Sequence, residues 1–307
     1  MIRLPAWHPL PSVIAAVSLL MCAGAAWAGL QGVARPWARN LLALAAKPVA
    51  ERPVTRRMIG VAGLTAARWD EQTGIRASLS VFYVSMSAPV APDFMRWIEA
   101  DADGARPVLE ILPRGRSLAS VAAGDDDRWL KSLAAQINEP VVIAFAPEAD
   151  GNWYTWGQQP AQFRVAWQHV WAVLGTRDIT WMWQMSSRHP VSAYWPGARY
   201  VQWVGIDGYF ETPANTFRRL FSRTLTVVSR ITADPVLLSE TAVGPLTRAE
   251  PADITKLFAA ASTRHLIGVV WFDRAQHDPP HHQDWYLKPG TAALAAFRAA
   301  ARAYVTS

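Results

Sequence analysis

The feature that most restricts the fold is a series of short apolar runs alternating with amphipathic stretches. Runs of this length are typical of strands buried on both faces of a parallel sheet. The intervening stretches place apolar residues at helical spacing, as with Phe163, Ala166 and Val170. The eight apolar runs cover residues 58–61, 79–84, 107–112, 140–146, 179–183, 201–207, 235–240 and 267–272. Eight strands separated by helices predict an α/β fold, a (β/α)8 TIM barrel.

The barrel is expected to form one domain over residues 58–307, because α/β barrels of this length commonly fold as a single unit. The chain has 307 residues and is 51% hydrophobic, which is enough for a sizeable core. The first β–α unit is the weakest part of the pattern, because residues 65–76 leave little room for a regular helix.

The first 30 residues are typical of a secretory signal peptide. Arg3 precedes an apolar run over about 13–30, and Ala26-Trp27-Ala28 offers a cleavage site between small residues. The same run is near the length of a membrane span, so an uncleaved anchor is the alternative. Residues 31–57 then form a Pro-containing linker. We therefore expect a secreted or periplasmic protein, cleaved or tethered to the membrane.

The charge distribution argues against nucleic-acid binding. The net charge is +6, but residues 1–57 contain seven Lys or Arg against one Glu, which accounts for the whole excess. The remaining residues balance, so no basic groove is implied. The single cysteine, Cys22, lies within the leader, so the mature chain would have no disulfide.

No cofactor or metal is expected, because no Gly-rich phosphate loop or metal-ligand spacing is present. His277, His281 and His282 lie in a Pro-rich loop after the last apolar run. We interpret them as a polar loop rather than a ligand set, since no cysteine accompanies them. We expect a monomer.

The stretch 141–156 carries the first functional signal. A buried strand ends in Glu148, and Gly151, Trp153 and Trp156 follow. Sugars stack on indole rings, and glycosidic bonds are cut by paired carboxylates, so a carbohydrate site is one interpretation. The alternative is that Glu148 caps a turn or pairs with an arginine while the tryptophans are core.

Carboxylates also follow three later strands. They are Asp207 after strand six, Glu240 after strand seven and Asp273 after strand eight. Strands four and seven face each other across a barrel mouth, where the chemistry of this fold occurs. A Glu148–Glu240 separation of roughly 5 Å would indicate a retaining glycosidase, and roughly 6.5–9.5 Å an inverting one.

The chain resembles glycoside hydrolase family 26, which includes many β-mannanases, over about residues 58–290. The resemblance rests on four segments in the expected order: 148–156, 200–209, 235–244, and Val270-Trp271-Phe272-Asp273 followed by Asp284-Trp285. It implies that Glu148 is the general acid/base and Glu240 the nucleophile. Tyr209 would stabilise the Glu240 carboxylate.

The resemblance also implies aromatic sugar platforms at Trp153, Trp156 and Trp271, which we expect at the barrel mouth. Core packing is an equally good interpretation of Trp156. Asp207 is expected among the substrate-binding residues, with a structural role as the alternative. Tyr83 and Trp183 are weaker candidates at the same mouth.

Several positions differ from the family pattern. Pro147 replaces the usual His, Ala144 the usual Arg and Asp150 the usual Asn, and the Pro-Asn after strand five is missing from 183–186. These positions shape the subsite beside the cleaved bond, so the polymer need not be mannan.

The expected function is therefore a retaining endo-β-glycosidase acting on a β-linked polysaccharide, either mannan-type or a bacterial exopolysaccharide. A catalytically inactive polysaccharide-binding barrel is the alternative. A transglycosylase using the same carboxylates is a third, weaker hypothesis.

Overall fold

A computed structural model describes residues 56–187, 190–276 and 283–307. The chain separates into two units, Met1–Ala46 and Lys47–Ser307, and all described residues belong to the second. The predicted leader and nearly all of the linker therefore lie outside the described residues, as do His277, His281 and His282. Among the described helices, none is both long and apolar enough to cross a bilayer.

Eight parallel strands form a closed barrel in sequence order, and β1 pairs with β8 to close it. The strands are β1 Met58–Ala62, β2 Leu79–Ser85, β3 Arg106–Leu112, β4 Val141–Phe145, β5 Ile179–Ser186, β6 Trp203–Phe210, β7 Val236–Val243 and β8 Gly268–Phe272. A short antiparallel pair follows, β9 Ala275–Gln276 and β10 Gln283–Asp284. The predicted (β/α)8 barrel is thus confirmed.

Helices lie between most successive strands, and a final helix closes the chain. They are α1 Ala66–Thr73, α2 Phe94–Ala102, α3 Leu118–Ala123, α4 Asp127–Ala134, α5 Pro160–Leu174, α6 Phe217–Ile231, α7 Glu250–Thr263 and α8 Ala292–Thr306. The expectation of little helix in 65–76 was wrong, because Thr65 caps α1 through its side chain and Gly74 ends it in the left-handed conformation.

Two apolar layers hold the barrel together. A small cluster fills its interior with residues such as Val108, Ala144 and Trp203. A much larger cluster lies between the sheet and the helices, where Trp69 and Phe297 make an edge contact at 5.2 Å. Since most strand residues are buried on both faces of the sheet, the strand sequences are mainly continuous apolar runs rather than alternating ones.

The sheet is irregular where β6 and β7 approach their carboxyl ends. The register shifts between Gly205 and Asp207, and again between Leu238 and Thr241 of the β7–β8 pair. Such bulges redirect side chains and often lie next to active sites. Gly205 allows close strand packing here, since a Cβ would lie 2.4 Å from the Ser239 hydroxyl oxygen.

Candidate active site

Glu148 lies in a tight turn directly after β4. Ala146 and Glu148 both adopt left-handed backbone angles, with φ of 48° and 51°. This conformation costs non-glycine residues roughly 1–3 kcal/mol each and is common at functional sites. The Glu148 N–H donates to the carbonyl of Gln184 at 3.2 Å, which joins the turn to β5. The turn leaves the Glu148 side chain only half-buried.

Asp150 fastens this turn to the end of β5. Its two carboxylate oxygens accept hydrogen bonds from the Ser186 N–H at 2.9 Å and the Ser186 hydroxyl at 2.7 Å. The Asp150 side chain is buried, so both bonds are sheltered from water. The residue that replaces the family's usual Asn therefore serves as an anchor for the Glu148 turn.

Trp153 touches Glu148 directly. Its indole Nε1–H donates to Glu148 Oε2 at 2.8 Å, while 44% of the residue remains exposed. Gly151 makes room for the ring, since a Cβ at this position would lie 2.4 Å from Trp153 Cζ2. The structure leaves much of Trp153 open to solvent beside Glu148, and its role as a sugar platform stays a prediction.

Glu240 lies on β7 beside Asp207 of β6, and the two are register partners. Each of its carboxylate oxygens accepts a hydrogen bond from a tyrosine hydroxyl, Oε1 from Tyr83 and Oε2 from Tyr209. Burial raises the pKa of Glu240, and these two hydrogen bonds act in the opposite direction by stabilising the ionised form. Both tyrosines were named from sequence, and both contact this carboxylate.

A buried polar network lies beside Glu240. The side-chain amide of Gln184 on β5 donates to Glu110 Oε1 and to Asp207 Oδ2, each at 2.8 Å. The Ser239 hydroxyl donates to the other Asp207 oxygen at 2.6 Å. Asp207 is almost fully buried, so the structure places it in this network rather than on a surface that a sugar could touch.

The pKa values of the buried carboxyls show how closely the acidic groups are placed. Burial raises the pKa of Asp207 well above its usual range, and the charges of Glu148, Glu240 and Glu110 raise it further. Burial also raises the pKa of Glu110, as do the charges of Glu240 and Glu148. Carboxyls from β3, β4, β6 and β7 therefore interact electrostatically in one site.

Sequence reasoning missed Glu110, because only carboxylates at strand ends were considered. Glu110 lies within β3, two residues before its end. A signal was available, since an ionisable residue inside an otherwise apolar strand must have a partner or hold a proton. Tyr154 was also overlooked, although burial and the charge of Glu148 raise its pKa.

Two of the predicted sugar platforms are wrong. Trp271 is 0% exposed, packs edge-on against Phe297 at 5.1 Å and donates its Nε1–H to the carbonyl of Trp285. Trp156 is 2% exposed and donates to the carbonyl of Pro147. In both cases the ring lies in the core, and core packing was the alternative kept open for Trp156. Trp183 is likewise buried.

Asp273, the carboxylate after β8, also has a structural position. It accepts hydrogen bonds from the backbone N–H of Leu287 and the side chain of Gln72. Burial raises its pKa to about 6, against the effect of these two donors. Asp273 therefore ties α1 to the segment that precedes α8.

A (β/α)8 barrel that brings two glutamates from β4 and β7 into one acidic site defines the class of protein, a glycoside hydrolase. The family model described as glycosyl hydrolase family 26 matches residues 116–241, which include both glutamates. Over this segment, which is less than half of the chain, the chain is similar to glycosyl hydrolase family 26.

Similar proteins carry the same family name or related activities. The chain is 23% identical over 236 residues to Endoglucanase H of Acetivibrio thermocellus, and the match covers 66% of this chain and 26% of that protein. The chain thus spans about a quarter of that curated relative. A GH26 β-mannanase of Bacteroides ovatus superposes with a TM-score of 0.63 at 16% identity, covering 82% and 91% of the two chains.

A modular endo-β-1,4-mannanase of Cellulomonas fimi superposes with a TM-score of 0.61 at 17% identity, covering 81% of this chain and 71% of that one. At such identities the structural likeness concerns the fold.

Asp150→Ala should destabilise the protein by about 1–3 kcal/mol, because the buried N–H and hydroxyl of Ser186 lose their acceptor. Urea unfolding measures the change. Ser186→Ala removes only one of the two bonds and should cost less, about 0.5–1.5 kcal/mol. Equal effects of the two variants would contradict an anchoring role for the Asp150 carboxylate.

Trp153→Ala should lower kcat/KM on polysaccharide by roughly tenfold or more, because an exposed ring and a hydrogen bond to Glu148 are both lost. Steady-state kinetics measure the loss, and Trp153→Phe separates the ring from the N–H donor. Trp271→Phe is the matched comparison and should lower the melting temperature while leaving KM unchanged. A larger KM effect from Trp271→Phe than from Trp153→Ala would reverse our assignment of the two rings.

Proposed function

We propose that this chain is a retaining endo-β-glycosidase that hydrolyses a β-linked polysaccharide, with Glu148 as general acid/base and Glu240 as nucleophile. The observation that carries the proposal is the unequal environment of the two side chains. Glu240 is enclosed and held by two tyrosine hydroxyls, whereas Glu148 is half-buried beside an exposed indole. Glycosidases need two carboxyls with different protonation states, and unequal environments produce that difference.

Glu240 is the better nucleophile because its donors stabilise a negative charge. Hydrogen bonds to a carboxylate favour its ionised form, and two hydroxyl donors fix the orientation of both oxygens. Burial and the charge of Glu240 raise the pKa of Tyr209 well above its usual value, so this hydroxyl keeps its proton and remains a donor. Glu240 can therefore hold the charge that attack on an anomeric carbon requires.

Glu148 suits proton exchange with substrate and water because it is the more accessible carboxyl. In the first step Glu240 attacks the anomeric carbon, the glycosidic bond breaks, and Glu148 gives its proton to the leaving oxygen. In the second step water attacks the same carbon, Glu148 takes a proton from that water, and Glu240 departs as a carboxylate. Both side chains return to their starting states.

The substrate proposal is a β-linked polymer, either mannan-type or a bacterial exopolysaccharide. The similar proteins are named as β-1,4-mannanases and an endoglucanase, which supports a β-linked main chain. Ala144 and Pro147 replace the Arg and His of the family pattern beside the candidate catalytic residue, which supports a polymer other than mannan. The predicted leader supports action outside the cytoplasm, by a monomer that is free or tethered.

Glu240→Ala should abolish hydrolysis of every polysaccharide substrate, because the carboxylate that attacks the anomeric carbon is removed. Glu148→Ala should lower kcat by about 10²–10⁴-fold on polysaccharide, yet retain turnover of glycosides with good leaving groups, which need no proton donor. Reducing-end release from mannans, β-glucans, xylans and bacterial exopolysaccharides measures both variants.

Glu139→Ala is the control, because it removes a carboxylate that is exposed on the surface. Its activity should match that of the wild type. Full activity in Glu240→Ala would exclude the mechanism. If the wild type shows no turnover and the Glu148→Gln/Glu240→Gln double variant still binds saccharide, the inactive binding barrel is favoured. Products longer than the substrate would favour a transglycosylase.

Tyr209→Phe should move the acid limb of the kcat/KM profile to higher pH, because a donor that lowers the pKa of Glu240 is removed. A hydrogen bond to a charged group contributes about 1.5–3 kcal/mol. Its loss therefore corresponds to a shift of the limb by roughly one to two pH units. Tyr304→Phe changes a buried tyrosine that donates to the Leu266 carbonyl, and it should leave the limb in place. A shift to lower pH in Tyr209→Phe would contradict the assigned role of Glu240.

A further inference from the structure

Glu110 is a third glutamate of the site, and nothing in the proposed mechanism uses it. The residue is 3% exposed and lies on β3 between two register partners, Tyr83 of β2 and Ala144 of β4. Because register partners on neighbouring strands share a face of the sheet, Glu110 lies beside the tyrosine that donates to Glu240. Its position is therefore that of a neighbour to the candidate nucleophile.

Among the residues that the structure describes, the groups around Glu110 offer no positive charge. Its hydrogen-bond partner is the Gln184 amide, at 2.8 Å, and no ion pair joins it to a cation in the part of the chain that the structure describes. The titratable and polar side chains that interact with it come from five other barrel strands or the loops that follow them: Tyr83, Glu148, Tyr154, Gln184, Asp207 and Glu240. Glu110 is thus a buried acid among other acids.

Carboxyls placed this closely cannot all be ionised, as paired aspartates in proteases illustrate. The negative charge goes to the group with the best donors. Glu240 accepts from two hydroxyls, whereas Glu110 accepts one bond from a neutral amide. The single amide bond offsets only part of the penalty for burying a charge on Glu110, so a proton on this carboxyl is the less costly state.

The residue at position 144 fits the same conclusion. Position 144 is the register partner of Glu110 on β4, so a cation placed here would stand next to this carboxyl. In this chain Ala144 is packed in the barrel interior and offers only a methyl group. The β4 neighbour of Glu110 therefore supplies no charge that would stabilise an ionised carboxyl.

We propose that Glu110 is a positioning residue that works as an uncharged carboxylic acid. It holds the Gln184 amide, which in turn holds Asp207, the register partner of Glu240, and it adds no second charge beside the nucleophile. The inference rests on the proposed function, since it takes Glu240 as the nucleophile. Glu110 itself is not assigned a contact with substrate.

Glu110→Gln tests the proposal, because Gln keeps the shape, accepts the bond from Gln184 and cannot be charged. We expect Glu110→Gln to retain most of the wild-type kcat and to leave the acid limb of kcat/KM unchanged. An ionised Glu110 would raise the pKa of Glu240 in the wild type. In that case the Gln variant would move the limb to lower pH, and this result would overturn the proposal, as would an inactive but folded variant.

An infrared measurement on the substrate-free protein gives an independent result. The difference spectrum between wild type and Glu110→Gln should contain the C=O stretch of a protonated carboxyl at neutral pH. The matched control, Glu139→Gln, should show loss of an ionised carboxylate instead, because Glu139 is exposed. If the difference spectrum for Glu110→Gln instead showed the loss of an ionised carboxylate, the proposal would also be overturned.

Glu110→Ala provides a second variant that removes the same carboxyl without replacing its hydrogen bond. We expect it to show the same infrared loss but, unlike the Gln variant, to lose activity, because Gln184 is no longer held. Equal kinetics in the Ala and Gln variants would remove the positioning role. A wild type without glycosidase activity would refute the proposed function, while the infrared result would still decide the state of Glu110.

Discussion

The site depends on one electrostatic constraint, which is that several carboxyl groups, most of them buried, lie close enough to affect one another's ionisation. The charges of Glu110, Glu148 and Glu240 all raise the pKa of Asp207, and the described donors to Glu110, Asp207 and Glu240 are neutral hydroxyls and an amide. Like charges at close range oppose further ionisation, so donors decide which carboxyl carries the charge. The two tyrosines favour Glu240 for this purpose. The division of roles between the glutamates follows from this inequality.

The backbone is shaped to bring these groups together, and the shape has a cost. Left-handed angles on both sides of Pro147 turn Glu148 towards the mouth, and the β6 bulge lies beside Asp207. Such features destabilise a fold locally and persist because surrounding contacts over-determine them. Here the bonds from Ser186 to Asp150 supply part of that support. Two of the non-glycine residues with left-handed backbone angles, Ala146 and Glu148, thus lie in the turn that carries a candidate catalytic carboxyl.

Much of the fold and part of the site could be predicted from residue pattern. Strands buried on both faces are visible as apolar runs, and the carboxyl ends of parallel strands must meet at one rim, which identified Glu148 and Glu240. The same reasoning failed for Trp271, which follows the strand pattern yet packs against Phe297 of α8. It also failed for Glu110, because the network that contains it joins β3, β5 and β6.

The sequence by itself determined the barrel, the order of its strands and which carboxyls stand at the rim, because these depend on periodicity along the chain. Only the tertiary structure decided which aromatic rings are open to solvent and which acids share hydrogen bonds. Exposure and pairing depend on neighbours distant in sequence: Tyr83 and Glu240 are 157 positions apart and still in contact. A local pattern cannot specify such distances, since they arise only when the barrel closes.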